Sequence, residues 1–179
     1  NYLAMSSTRI LYFAYGSNMW SHRMHIRNSR AGFVGVGKLN GYRLTFVGDS
    51  EAWRGATATI APADTASCVQ GVVWSLPHED VPILDEQESG YNGMDVKVEL
   101  PSGEKKSCRT YIHKEPKVDE SKPSAVYKRI IIAGALEHKL PGDYVQNLLK
   151  LQDNGCCNGI AIPVDISKLH KELDGKISV

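Results

Sequence analysis

The chain has 179 residues, 42% of them hydrophobic and 23% charged, which suits a globular protein able to bury a sizeable core. Its 21 basic and 20 acidic residues leave a formal net charge of +1, so it carries no electrostatic footprint for nucleic acid or an acidic membrane. No apolar run reaches the length of a membrane span, and the N-terminus has no hydrophobic signal core. Met5 reads as a natural start, so residues 1–4 are expected to be non-native, and residues 1–8 together are expected to form a disordered or non-native N-terminus. Residues 9–179 are expected to form one domain ending in a helical tail.

In chain order, residues 9–15 read as a buried strand rich in β-formers. Residues 21–28 are polar and basic, a short helix or an irregular turn. Between 31 and 48, Gly32, Gly35, Gly37 and Gly41 interrupt alternating apolar residues, the pattern of bent or bulged strands in a small barrel. Tyr42-Arg43-Leu44-Thr45-Phe46 alternates as a half-buried strand does. Residues 56–61 and 69–76 are two further strands. Residues 77–88 form a short helix with proline in its opening turn and Ser89-Gly90 beyond its end. Residues 94–100 and 106–113 make a hairpin around Pro101-Ser102-Gly103-Glu104. A charged loop over 115–123 leads to helices over 124–138 and 143–152, split by Leu140-Pro141-Gly142. About six strands preceding two helices favour an α+β fold, a small bent β-barrel with flanking helices, over alternating βαβ units.

Cys68, Cys108, Cys156 and Cys157 form no Cys-x-x-Cys pair, and the scattered histidines have no ligand-like spacing, so neither a metal site nor a disulfide framework is expected. Reduced thiols fit a cytoplasmic protein. Ser17 has no nearby histidine and no Gly-x-Ser-x-Gly elbow, which argues against a serine hydrolase. Tyr12, Tyr42, Trp53 and Trp74 read first as core aromatics.

Two segments carry chemistry. Tyr15-Gly16-Ser17-Asn18 follows the first strand directly, and a glycine turn there can present consecutive backbone N–H groups to an anion. The second is Leu84-Asp85-Glu86-Gln87-Glu88. Val81, Leu84 and Glu88 lie at i, i+3 and i+7 and share one helical stripe, with Asp85 on its border and Glu86 facing away. A carboxyl on a stripe that otherwise faces the core is desolvated, which raises its pKa and suits it to general acid/base work. The competing reading is a helix-end glutamate that caps the helix or pairs with a neighbouring cation.

The stretch Tyr12-Phe13-Ala14-Tyr15-Gly16-Ser17-Asn18-Met19-Trp20 resembles the N-terminal signature of the γ-glutamylcyclotransferase family, and Leu84-Asp85-Glu86-Gln87-Glu88 resembles that family's catalytic segment. Trp53-Arg54-Gly55-Ala56-Thr57-Ala58-Thr59-Ile60, Gly71-Val72-Val73-Trp74, Ser107-Cys108-Arg109-Thr110-Tyr111 and Tyr127-Lys128-Arg129-Ile130-Ile131 are similar to further family stretches, in the same order. Two departures stand out. Ser89 replaces a glycine, which shifts the helix terminator to Gly90. Met19-Trp20 replaces a leucine-rich pair, resembles the glutathione-specific, ChaC-like branch, and would bear on one pocket wall.

The resemblance implies the family's barrel fold and its lyase chemistry: cyclisation of a γ-glutamyl amino acid to 5-oxoproline with release of the free amino acid, in the setting of glutathione metabolism. Glu88 would be the general acid/base. Substrate contacts would come from Tyr12, Phe13, Ala14, Tyr15, Gly16, Ser17 and Tyr127. No cofactor or metal would be needed. The partner would be a small-molecule γ-glutamyl substrate, with neither nucleic acid nor membrane involved, and the assembly a homodimer. A glutathione-specific or γ-glutamylamine enzyme of the same fold, or a non-catalytic ligand-binding or adaptor protein retaining it, are the alternatives.

Overall fold

A computed structural model describes residues 8–114 and 119–177. The expectation for the N-terminal extension therefore falls, except for Thr8, outside the described residues, as does the 115–118 part of the charged loop.

Strand β1 (Arg9–Ala14) runs into a 3-10 turn, Ser17–Met19, and a single-turn helix α1 (Ser21–Met24). β2 (Gly32–Asn40) and β3 (Tyr42–Ser50) are separated by Gly41 alone, at φ +80°, a conformation that a side chain disfavours. β4 (Gly55–Pro62) and β5 (Cys68–Pro77) follow, then a 3-10 turn, His78–Asp80, leading into α2 (Val81–Gln87). β6 (Tyr91–Glu99) and β7 (Lys105–His113) form the expected hairpin, with Gly103 at φ +85° in its turn. Helices α3 (Ala125–Glu137), α4 (Gly142–Leu149) and α5 (Ile166–Leu173) complete the described chain.

Five strands close a barrel in the order β1-β5-β2-β6-β7. Neighbours are antiparallel except at the seam, where β7 lies parallel to β1 with Tyr12 opposite Arg109. Two side chains fasten this seam: the Thr110 hydroxyl donates to the Phe13 carbonyl at 2.8 Å, and the Tyr15 hydroxyl donates to the Tyr111 carbonyl. β3 and β4 form a separate two-stranded ribbon, with one isolated bridge from Val47 of β3 to Glu120. The barrel therefore holds five strands rather than about six, with two more outside it. Alternation over 42–46 reports a half-buried strand but not its sheet, and the left-handed turn at Gly41 carries β3 away from β2.

Helix α3 is buried along most of its length, and Ser124 caps it by accepting from the Tyr127 N–H at 3.1 Å. Gly134 lets it approach the turn after β1: a Cβ there would lie 2.6 Å from both Met19 Cβ and the Trp20 nitrogen. Met19 and Trp20 are fully buried beneath α3, so this pair packs the core and does not form a pocket wall, correcting the sequence expectation.

Candidate active site

The turn after β1, the end of α2 and the start of α3 converge on a cavity of about 690 Å³. Its lining includes Tyr12, Tyr15, Gly16, Ser17, Asn18, Arg23, Trp53, Glu88, Tyr91, Tyr111 and Tyr127. Of the residues singled out in the sequence, Phe13 and Ala14 alone stand behind the wall. Both are buried, and the Phe13 ring packs against Gly71 inside the barrel.

The β1 turn is held in an open state for donors. Met19 and Trp20 donate their N–H groups to Gly16 and Ser17, whereas the N–H groups of Ser17 and Asn18 meet no acceptor among the described residues. Gly16 fits where a larger residue would crowd the Tyr127 hydroxyl, 3.3 Å from the position of a Cβ. That hydroxyl accepts from the Ala58 N–H at 3.0 Å, which leaves its own proton free to donate.

Leu84 is fully buried and Val81 half-buried, so the expected stripe exists, but α2 ends at Gln87 and Glu88 is its C-cap, at φ −97° and ψ 34°. No left-handed glycine terminates this helix. Glu88 donates its N–H to the Leu84 carbonyl, and its own carbonyl accepts from Tyr91, turning the chain directly into β6. Asp85 pins α2 to β7, accepting from Arg109 at 2.9 Å and from the Tyr111 hydroxyl. Glu86 is exposed and pairs with Arg27 at 3.0 Å.

The Glu88 carboxyl is drawn into the cavity. Its Oε1 accepts from the Asn18 amide at 3.1 Å, and the same amide nitrogen lies 3.1 Å from the Tyr12 hydroxyl. Asn18 is itself clamped, its Oδ1 accepting from Gln87 and its carbonyl from the Trp74 indole. Burial pushes the Glu88 pKa up from 4.5 to about 7, against the opposing pull of Arg23 and Asn18. Burial likewise raises the phenols of Tyr12, Tyr15 and Tyr127 well above their ordinary value, so all three remain protonated near neutrality.

The sequence expectations left Arg23, Tyr91 and Tyr111 out of the site, and placed Asn18 in the donor turn without linking it to Glu88. Tyr91 and Tyr111 stand on strands whose facing direction depends on barrel closure, and Arg23 lies in a polar segment with no periodicity. Trp53, read as a core aromatic, lies on the cavity wall with its ring 4.8 Å from that of Tyr127. Among the described residues no group of three His, Cys, Asp or Glu side chains could hold a metal ion, and no helix is long and apolar enough to cross a membrane.

Comparison with known proteins bears on the same segments. A sequence model of the AIG2-like family matches residues 68–148. Human γ-glutamylcyclotransferase is 38% identical over 154 residues, covering 80% of this chain and 79% of that protein; the mouse enzyme is 37% identical over the same length. A solved structure described as a γ-glutamyl cyclotransferase superposes with a TM-score of 0.85 at 34% identity, over 92% of this chain and 99% of that one. The chain belongs to the γ-glutamylcyclotransferase family.

Proposed function

We propose that the protein is a cofactor-independent γ-glutamylcyclotransferase that converts γ-glutamyl amino acids to 5-oxoproline and a free amino acid. The observation that carries this reading is the Glu88 carboxyl, raised to about 7 and facing the same cavity as the unpaired N–H groups of Ser17 and Asn18.

The substrate carries its own nucleophile. Its α-amine attacks the γ-carbonyl, a five-membered ring closes, and the C–N bond to the leaving amino acid breaks. Alignment of the two reacting groups in one molecule can supply about 7–11 kcal/mol. Glu88 takes a proton from the α-ammonium, freeing its lone pair, and returns a proton to the departing nitrogen. Such transfers typically contribute about 10²–10⁴-fold. Tyr12, Tyr15, Gly16 and Ser17 form the contact segment: the turn holds the glutamyl carboxylate and receives the oxyanion through its N–H groups, with Phe13 and Ala14 supporting the strand from behind. The Tyr127 hydroxyl donates to the same oxygen. The protein acts as one catalytic domain over residues 9–179, as a homodimer in the cytoplasm, in glutathione metabolism.

Glu88→Gln keeps the size and hydrogen-bonding capacity of the side chain but cannot exchange the proton. We expect a folded variant, by circular dichroism, whose 5-oxoproline release from γ-glutamyl-alanine falls by at least about 10²-fold. Full activity in that folded variant would overturn the assignment.

A further inference from the structure

Arg23, in α1, is 6% exposed yet lines the cavity. Its guanidinium carbon lies 5.6 Å from the centroid of the Trp53 ring, which positions it, but its Nε is buried without a hydrogen-bond partner. Among the described residues the guanidinium makes no ion pair. Arg27, the other arginine lining the cavity, is already paired with Glu86. Burial of an unpaired cation is costly unless a ligand supplies the missing anion.

We propose that Arg23 binds the carboxylate of the leaving amino acid, and so makes the site selective for γ-glutamyl amino acids over γ-glutamyl amines. This rests on the cyclotransferase reading. A γ-glutamyl dipeptide brings two carboxylates into the cavity, and the turn after β1 has N–H donors for the one on the glutamyl half. The second lies two bonds from the departing nitrogen, which takes its proton from Glu88. Arg23 and Glu88 line the same cavity, and the guanidinium's charge reaches Glu88, so the cation faces the space into which that nitrogen leaves. A neutral amine leaving group has no carboxylate, and its binding would leave the guanidinium buried and unmatched. Sites built around a buried polar group reject analogues that lack its partner.

The test compares γ-glutamyl-alanine with γ-glutamyl-ethylamine, which differ only in this carboxylate, a hydrogen taking its place in the amine. The wild-type protein is expected to favour γ-glutamyl-alanine in kcat/KM by roughly 10–100-fold, the range of a charge-assisted hydrogen bond. In Arg23→Gln that preference is expected to collapse towards unity. Any change that the substitution makes to Glu88 acts on both substrates and cancels in the ratio. Arg23→Lys, which keeps the charge, should retain part of the preference. Equal kcat/KM for the two substrates in the wild type would overturn the proposal, and that comparison stands even if Arg23→Gln fails to fold. An unchanged preference in folded Arg23→Gln would also overturn it, by placing the guanidinium on the glutamyl half that both substrates share. Failure of the wild type to release 5-oxoproline from either substrate would instead defeat the cyclotransferase reading itself.

Discussion

Three acids within four residues of one helix end meet three fates, and the differences come from what each touches. Burial raises Asp85, but the Tyr111 hydroxyl and Arg109 outweigh it and hold the carboxyl below its ordinary value. Glu86 reaches solvent beside Arg27. Glu88 alone loses water without gaining an ion pair, and its pKa rises to about 7. Because the base form must take the first proton, kcat/KM is expected to fall about tenfold per unit as pH drops below about 7. A rate profile with no acid limb above pH 6 would contradict this assignment. Stability carries the opposite signature. Between 4.5 and about 7 the folded chain keeps a proton on Glu88 that the unfolded chain has released, so this residue's contribution weakens as pH rises through that window. Glu88→Gln should therefore gain thermal stability relative to the wild type between pH 4.5 and pH 7, read from melting curves.

At the scale of elements, the contact between α3 and the turn after β1 places the Tyr127 hydroxyl near Gly16. It depends on Gly134, where no Cβ intervenes between the helix and Met19 or Trp20. Gly134→Ala is expected to force the two apart, at about 1–3 kcal/mol of stability by urea denaturation, and to raise KM for γ-glutamyl-alanine as the turn shifts from Tyr127. An unchanged midpoint would mean that α3 tolerates the methyl group. Neither consequence was legible in the sequence, where Gly134 is one small residue in a helical run. Local signals served well wherever an element carries its own punctuation. The β6–β7 hairpin follows from its Pro-Ser-Gly turn, and α3 from its Ser124 cap. In the tail over 153–177, α5 carries local signals of its own: Ile166, Leu169 and Leu173 at i, i+3 and i+7, and Asp165, whose side chain accepts from the N–H groups of Ser167 and Lys168.

Over the whole molecule, the seam between β1 and β7 holds the site together. These strands lie about a hundred positions apart in sequence and run parallel, so no hairpin joins them. Thr110 spans the seam from a fully buried position. Thr110→Val keeps the shape but strands the Phe13 carbonyl, and is expected to cost about 1–3 kcal/mol. Faster hydrogen exchange should appear on β1 and β7 before the β3–β4 ribbon; uniform acceleration would argue that the seam is no special weak point.

The sequence by itself determined the chemistry on offer: a glycine turn with exposed amides, a glutamate set on an apolar stripe, and a tyrosine one turn into a helix. These are local facts, fixed by residue type and by the periodicity of strand and helix. Only the tertiary structure decided that Asn18 would touch Glu88, that Arg23 would be buried without an ion pair among the described residues, and that β3 and β4 would leave the barrel. Each of those outcomes depends on which distant segments exclude water from one another, and a pKa or an unmatched charge has no meaning until that exclusion has taken place.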